Sequence, residues 1–524
     1  MIIENTEFGR IEVRNVPLPE GLGSDVIGTY TYSGRVLVAV GMPEKGADWY
    51  RVFTVGDDGS DICELFKGVI PKKQGANGIR WMCYADNKRV LLGDYVLECE
   101  PDLDHCESSK LIDVVFPKEI SEIPSIFMRW SEPIIAPDNL HVCFSSLTGS
   151  GAYNFLGRLI RTDSAYVMED VRVISTIGGY DPDPKAPGCC IQKMQRGGEV
   201  KQFVRGGRAI TLAGGGRSIS ESCLQALDSE DVSFVTDTLG YEETAIFSPN
   251  EVYAICMSPR FSPETDAGVL GVVPLIGDLI TRGKYLNVLY QYSIAGVRSH
   301  RHGNIGPALI NIERSMSEGR KYMGVDLSDP EDKWVYYSPM SWHPSSTKAL
   351  WNERTRLCEG DVQCRLRVCH LLDVSAAAPI PAQKTPDSGE IPYSEPISAI
   401  FSQNSVSFPL TVRGKTGTVQ NLPVKDGAWE TRYDNFSEDG KTFYNGWIRV
   451  KAPENMFRPG LTTIESDLSV FGEHTGRMDL RIVLKSDARF QIYPDDGLNE
   501  DGRPNCFGYA EYDGLRREVS ELAP

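Results

Sequence analysis

Pro133-Ile-Ile-Ala-Pro-Asp-Asn-Leu-His-Val-Cys-Phe144 decides the fold. A short apolar run meets a Pro-Asp-Asn turn, and a second apolar run leaves it. Proline sets φ for a tight turn, and Asp and Asn close it. Apolar residues alternating with period two then give the next strand two faces. The segment therefore reads as a β-hairpin.

Five weaker copies flank it. They are Tyr30-Thr-Tyr-Ser-Gly-Arg-Val-Leu-Val-Ala-Val, Trp81-Met-Cys-Tyr-Ala-Asp-Asn-Lys-Arg-Val-Leu-Leu and Phe203-Val-Arg-Gly-Gly-Arg-Ala-Ile-Thr-Leu. The last two are Ala245-Ile-Phe-Ser-Pro-Asn-Glu-Val-Tyr-Ala-Ile and Met340-Ser-Trp-His-Pro-Ser-Ser-Thr-Lys-Ala-Leu-Trp. Most recur at roughly 45 to 55 residues, the period of a four-stranded propeller blade. Residues 25–378 hold about seven blades at that period, but six turns are visible. A seventh would lie between residues 260 and 335, as a blade with an insertion or a long loop in a six-bladed ring.

Pro379-Ile-Pro-Ala-Gln-Lys-Thr-Pro-Asp-Ser-Gly-Glu-Ile-Pro is rich in proline and polar residues and reads as an extended linker. Beyond it, Val406-Ser-Phe-Pro-Leu-Thr-Val, Arg481-Ile-Val-Leu and Tyr509-Ala-Glu-Tyr alternate again. Tyr433 to Gly446 forms a hairpin turning on Ser437-Glu-Asp-Gly. Short strands with Gly and Asp turns predict a β-sandwich. The expectation is an all-β chain: a six- or seven-bladed β-propeller over 1–378, a linker over 379–397 and a β-sandwich over 398–524.

The 524 residues carry 54 Lys and Arg against 72 Asp and Glu, a net charge of −18. So acidic a surface repels nucleic-acid backbones and anionic membranes, so neither is expected as a partner. Apolar content of 41% excludes global disorder. No run approaches the roughly 18 apolar residues of a membrane span. The start, Met-Ile-Ile-Glu-Asn-Thr-Glu, has neither the basic nor the apolar region of a secretion signal, so a cytoplasmic protein is expected, or a secreted one if the N-terminus is truncated. Cys99/Cys106 and Cys358/Cys364 each bracket an acidic loop. They read as free thiols in a reducing compartment and as loop disulfides in an oxidising one. Adjacent Cys189 and Cys190 read as ordinary thiols.

The chain resembles the fungal saponin hydrolase-like proteins. The matching stretches are Lys88 to Cys106, Ala136-Pro-Asp-Asn-Leu-His with Tyr153-Asn-Phe-Leu-Gly-Arg-Leu, and Gly198-Glu-Val-Lys-Gln-Phe. Ser248-Pro-Asn with Pro274-Leu-Ile-Gly-Asp-Leu and the Tyr433 to Gly446 hairpin also match. The resemblance implies a β-propeller followed by a β-sandwich, and one of two activities. One is hydrolysis of triterpenoid saponins. The other is hetero-Diels–Alder catalysis in tropolone–sesquiterpene pathways, where a hydroxymethyl tropolone loses water to a quinone methide that adds to a humulene-type olefin. The absence of a signal favours the second. A non-catalytic interaction propeller is the third reading, and no cofactor is implied. Self-association into an oligomer is compatible with every reading.

Propellers bind ligands at the mouth of the axial channel. Residues just ahead of each turn fall on the inner strands: Arg129, Trp130, Glu132, Tyr241, Glu242, Glu243, Tyr336, Tyr337, Trp342 and His343. So aromatic a set suits a flat, apolar organic ligand. Glycoside hydrolysis needs two carboxylates, best supplied by Glu132 and Glu243, with Glu353 third. Quinone-methide formation needs a general acid and a proton acceptor, for which His343, Tyr337 and Glu132 are candidates. The bland alternatives are solvated glutamates, a structural His343 in its turn, and Trp130, Trp342 and Trp351 as blade packing. Arg298-Ser-His-Arg-His-Gly-Asn is the densest His/Arg cluster. On a strand, His300 and His302 would share a face as a metal pair or anion clamp, but no third ligand is near, so no metal is expected. As a lid, the same loop would bring Arg298, Arg301 and His302 toward substrate; as a solvated loop it would do neither. Ala213-Gly-Gly-Gly-Arg reads as a hairpin turn, and Asp102-Leu-Asp104 as an acidic loop without the spacing of a calcium site.

Overall fold

The computed structural model describes all residues except 24, 149–150, 215–220, 239, 263–289, 403–408, 454–459, 488–490 and 523. Three sequence stretches, Pro274 to Leu279, most of the glycine run after Ala213 and the start of the Val406 run, lie outside the described residues.

The architecture is all-β and propeller-like. Six four-stranded antiparallel meanders follow one another among the described residues. The first comprises Val26–Tyr30, Val36–Gly41, Trp49–Val55 and Cys63–Val69. Later meanders open with Met82–Cys83, Ile134–Ile135, Glu199–Val204, Thr244–Phe247 and Trp334–Trp342. Each sequence-predicted turn joins the first two strands of a meander. In the deciding segment, Ala136 N–H donates to His141 O at 2.8 Å, with Asn139 in the left-handed region at φ 62°. The described strands between 244 and 326 form one meander that also holds the residues after 290, so the stretch from 260 to 335 adds no further sheet among the described residues.

The opening strands are mutual neighbours: Met82–Cys83 beside Ile134–Ile135, then Glu199–Val204, Thr244–Phe247, Trp334–Trp342 and Val26–Tyr30. Polar ties cross these seams. Trp342 Nε1 donates to Ile246 O at 2.8 Å, Tyr30 N to Ser341 Oγ at 2.9 Å, and Gly28 N to Asn352 Oδ1 at 2.8 Å. Gly9–Asn15 pairs antiparallel with Cys364–Leu371, so the chain's beginning completes the last meander. That pairing hides a sheet edge.

Leu410–Arg413 through Leu515–Glu518 form one continuous antiparallel meander, joined at its edge by Tyr180–Pro182 and Cys190–Gln192. Where the sequence predicts two sheets, the hydrogen bonds of the described residues make one. Its Gly460–Gly472 strand buries Thr462, Ile464, Ser466, Leu468 and Val470 in alternation. That apolar face belongs to the same core as Phe8, Val335 and Trp351.

The 379–397 stretch is pinned across the meanders rather than spanning free space. Ile380 N donates to Pro249 O at 2.7 Å, and Gln383 N to Gly206 O at 2.8 Å. Gly206, at φ 65°, lets Pro381 O come within 2.4 Å of where a Cβ would sit. Glu395–Pro396 then pairs with Tyr166–Val173, and Ile397 and Ile400 enter the core. The thirteen cysteines are not joined in disulfides, and Cys106 N–H points at Cys63 Sγ at 3.2 Å.

Candidate functional site

Glu199 and Lys201 lie on the opening strand of one meander, and Arg80, Glu132 and Glu243 lie just ahead of the opening strands of three others. Lys201 stands at an irregularity in the register of its strand, between Val200 and Gln202. Lys201, only 3% exposed, is the hub: its Nζ lies 3.1 Å from Glu199 Oε2, 3.3 Å from Glu243 Oε1 and 3.8 Å from Glu132 Oε1. Arg80 Nη1 lies 3.0 Å from Glu132 Oε2. Ser131 Oγ donates to Glu199 Oε1 at 2.7 Å.

The electrostatics divide the three carboxyls. Burial raises Glu132 above the ordinary glutamate value, and Glu199 and Glu243 add to the rise against Arg80 and Lys201. Glu199 is also pushed up by burial, but Lys201 and Ser131 prevail and hold it low. Against the pull of burial, the three carboxylates raise Lys201. Such a set can hold one proton on an acid while neighbouring carboxylates stay available to accept one.

Aromatic side chains adjoin the cluster. Burial raises Tyr336 and Tyr290, and both also feel the charge of Arg298 and Glu243. The Tyr290 ring lies 5.6 Å from that of Tyr241. Arg298 donates to Tyr336 O at 3.4 Å and covers the Tyr337 ring at 4.5 Å. The structure thus unites Glu132 and Glu243, expected as a pair, at one ammonium. Tyr336 and Tyr290 lie within electrostatic reach of Glu243, Tyr241 packs on Tyr290, and Tyr337 lies under Arg298.

Other expected site residues lie elsewhere. His343 belongs to its hairpin turn: its Nδ1 is 2.7 Å from Ser345 Oγ and its ring meets Tyr30 edge-on at 5.3 Å. Burial, then Lys348, lowers its pKa. Trp130 is fully buried against Gly93, and Trp342 and Trp351 are packed, with Trp351 donating to Glu353 Oε1 at 2.8 Å. These indoles join sheets and do not wall a channel, because the faces between meanders demand large apolar volume. Arg129 pairs with Asp94 and donates to Gln74 O at 3.0 Å. Glu242 is held by Arg260, and Glu353 by Arg365.

The His/Arg cluster is not a strand. Gly296–Ser299 is a short helix, and the chain then loops to Ala308–Asn311. His300 therefore packs on Tyr493 at 4.5 Å, while His302 is 87% exposed and 2.5 Å from Asp332. Arg301 is buried and donates to Tyr292 O and, at 2.5 Å, to Ile492 O, which ties the loop to the C-terminal sheet. Asp104 accepts from Ser33 at 2.8 Å and Asn87 at 2.9 Å, so the acidic loop is satisfied by protein donors. No group of three His, Cys, Asp or Glu among the described residues could hold a metal ion.

Sequence reasoning passed over Arg80, Glu199 and Lys201. For Arg80 and Glu199 the signal was positional: Arg80, Glu132, Glu199 and Glu243 each stand four or five residues ahead of a hairpin turn.

No family model and no curated protein matches the chain. Among solved structures it is similar to a putative TolB from Agrobacterium tumefaciens, at 11% identity and TM-score 0.33, covering 61% of this chain and 87% of that one. TolB from Acinetobacter baumannii matches at 12% identity and TM-score 0.31, over 67% of this chain and 66% of that one. Prolyl oligopeptidase B from Galerina marginata matches at 10% identity and TM-score 0.27, over 78% of this chain but only 46% of its own. Likeness at this level carries no functional inference. No helix among the described residues is long and apolar enough to cross a membrane.

Proposed function

We propose that the six meanders are blades of a six-bladed propeller, that the single C-terminal sheet folds on itself as a β-sandwich, and that the chain is a hetero-Diels–Alderase acting at the Glu132–Lys201–Glu243 cluster. What supports this reading is the placing of two carboxyls, Glu132 and Glu243, 3.8 Å and 3.3 Å from one buried ammonium, with burial raising Glu132 above its ordinary value. Glu132 protonates the hydroxymethyl oxygen of a tropolone carbinol, the C–O bond breaks and water leaves. The ring hydroxyl gives its proton to Glu243, which leaves a neutral quinone methide. Proton exchange with solvent resets both glutamates. Cycloaddition with a humulene-type olefin then forms one C–C and one C–O bond with no further proton movement. Tyr241, Tyr290, Tyr336 and Tyr337 would hold diene and olefin together, which removes entropy from the barrier.

Saponin hydrolysis, the alternative, needs the sugar carbon between two carboxyls. Here a buried ammonium occupies the space between Glu132 and Glu243. That favours the reaction that needs no carboxylate nucleophile. Incubating the protein with a tropolone carbinol and humulene tests the reading. Faster and more stereoselective adduct formation than in buffer is expected. Equal rates and product ratios, or release of sapogenol from a glucuronide saponin, would overturn it.

A further inference from the structure

We propose that Lys201 is a positioning residue that decides which of three inner-strand carboxyls carries the proton, and that it leaves the proton on Glu132. The inference deepens the proposed function and rests on that reading for its catalytic meaning, but its geometry stands apart from any substrate.

The argument starts from hydrogen bonds. Glu199 accepts from Ser131 Oγ at 2.7 Å and from Lys201 at 3.1 Å. Glu243 accepts from Lys201 at 3.3 Å. Glu132 accepts from neither: Lys201 stands off at 3.8 Å, and the buried Oε2, though 3.0 Å from Arg80 Nη1, has no aligned hydrogen-bond partner. A buried anion without hydrogen bonds is the costliest of the three to keep ionised.

Charge leads to the same place. The groups facing Glu132 are Arg80 from the segment ahead of Met82–Cys83, Glu199 and Lys201 from Glu199–Val204, and Glu243 from the segment ahead of Thr244–Phe247. Among the described residues, the cations within 4 Å of the three carboxylates are Arg80 and Lys201, one fewer than the carboxylates they meet, and Arg298 acts on the adjoining Tyr290 and Tyr336. Lys201 donates its hydrogen bonds to Glu199 and Glu243, and the proton stays on Glu132, whose close cation, Arg80, makes no aligned hydrogen bond to it. Without Lys201 the three carboxyls would differ less, and the proton would be shared.

Infrared difference spectroscopy of the full-length protein at neutral pH reads this without a substrate. The wild type should show the C=O stretch of a protonated carboxylic acid, and Glu132→Gln should remove it. Lys201→Met combined with Glu132→Gln should restore a protonated-carboxyl band, because Glu199 or Glu243 then takes the proton. Lys201→Arg should behave as the wild type. If Lys201→Met does not fold, the wild type, Glu132→Gln, Lys201→Arg and Lys201→Arg/Glu132→Gln comparison still decides. Absence of the band in the wild type, its survival in Glu132→Gln alone, or its continued absence in a folded Lys201→Met/Glu132→Gln protein would overturn the proposal. A band that behaves as expected in a protein that leaves the carbinol unchanged would overturn the reaction and keep this assignment.

Discussion

Replacing His141 by Leu should release the segment that crosses the meanders between 379 and 397. His141 is fully buried, with Nδ1 2.7 Å from Asp138 Oδ2 and Nε2 3.1 Å from Asp387 Oδ1. Thr385 N also reaches Asp138 Oδ2 at 3.3 Å, so one imidazole binds the Ala136–His141 turn to the strap. Two charge-assisted hydrogen bonds disappear in the variant, each worth about 1.5–3 kcal/mol. Asp387 is 37% exposed and regains water, and Asp138 keeps the backbone donors of Leu140 and residue 141, which discounts the sum. The expected local loss is about 2–4 kcal/mol, or roughly 30- to 900-fold faster exchange of strap amides.

The pH dependence has a definite sign. Burial lowers the His141 pKa, but Asp138 and Asp387 overcome it and raise the value above 6.5. Stability from the charged imidazole is therefore fully present below the unfolded value near 6.5 and lost as pH rises through the raised folded value. Asp138, lowered to about 2 despite burial because His141 and two backbone amides bind it, loses its share as pH falls through that value. Hydrogen exchange at the Gln383 and Thr385 amides, in wild type and variant across pH, measures both. Protection in the variant within about 0.5 kcal/mol of wild type at pH 6, or a gap that widens above the histidine range, would refute the reasoning.

Gly206→Ala should destabilise by about 1–3 kcal/mol, because a Cβ would meet Pro381 O at 2.4 Å in a left-handed backbone; denaturant unfolding that does not shift would contradict it. Trp342→Phe removes the bond to Ile246 O and should cost about 1–2 kcal/mol in unfolding experiments while leaving product ratios unchanged, since the indole joins two sheets. His343→Gln should leave turnover within about threefold of wild type, because its ring lies in a turn with Ser345 and Tyr30; a loss of about 100-fold would return it to the site.

Much of the series of meanders was legible because its turns are local. Pro137-Asp-Asn, Ser248-Pro-Asn and Pro344-Ser-Ser each declare a hairpin within a few residues, and the structure closes one at each. What the sequence hid depends on distant partners. Gly9–Asn15 pairs with a strand more than three hundred residues on, a closure that no local pattern announces. Proline and polar composition made 379–397 resemble free linker, because the backbone amides of Ile380 and Gln383 that tie it to other meanders leave no mark in the local sequence. At the site, Glu132 and Glu243 were visible as carboxylates ahead of turns. Lys201 was not, because its meaning comes only from the three meanders that converge on it. The tryptophans misled for a related reason: Trp130 and Trp342 precede turns, yet their side chains fill the seams between sheets.

The central claim is proton donation by Glu132 to a tropolone carbinol at the Glu132–Lys201–Glu243 cluster. Its most direct test is quinone-methide formation from a tropolone carbinol by wild type and Glu132→Gln, followed in a stopped-flow spectrometer. A loss of about 100-fold or more in the variant, with folding intact, is the predicted result. Equal rates in the two proteins would contradict the account.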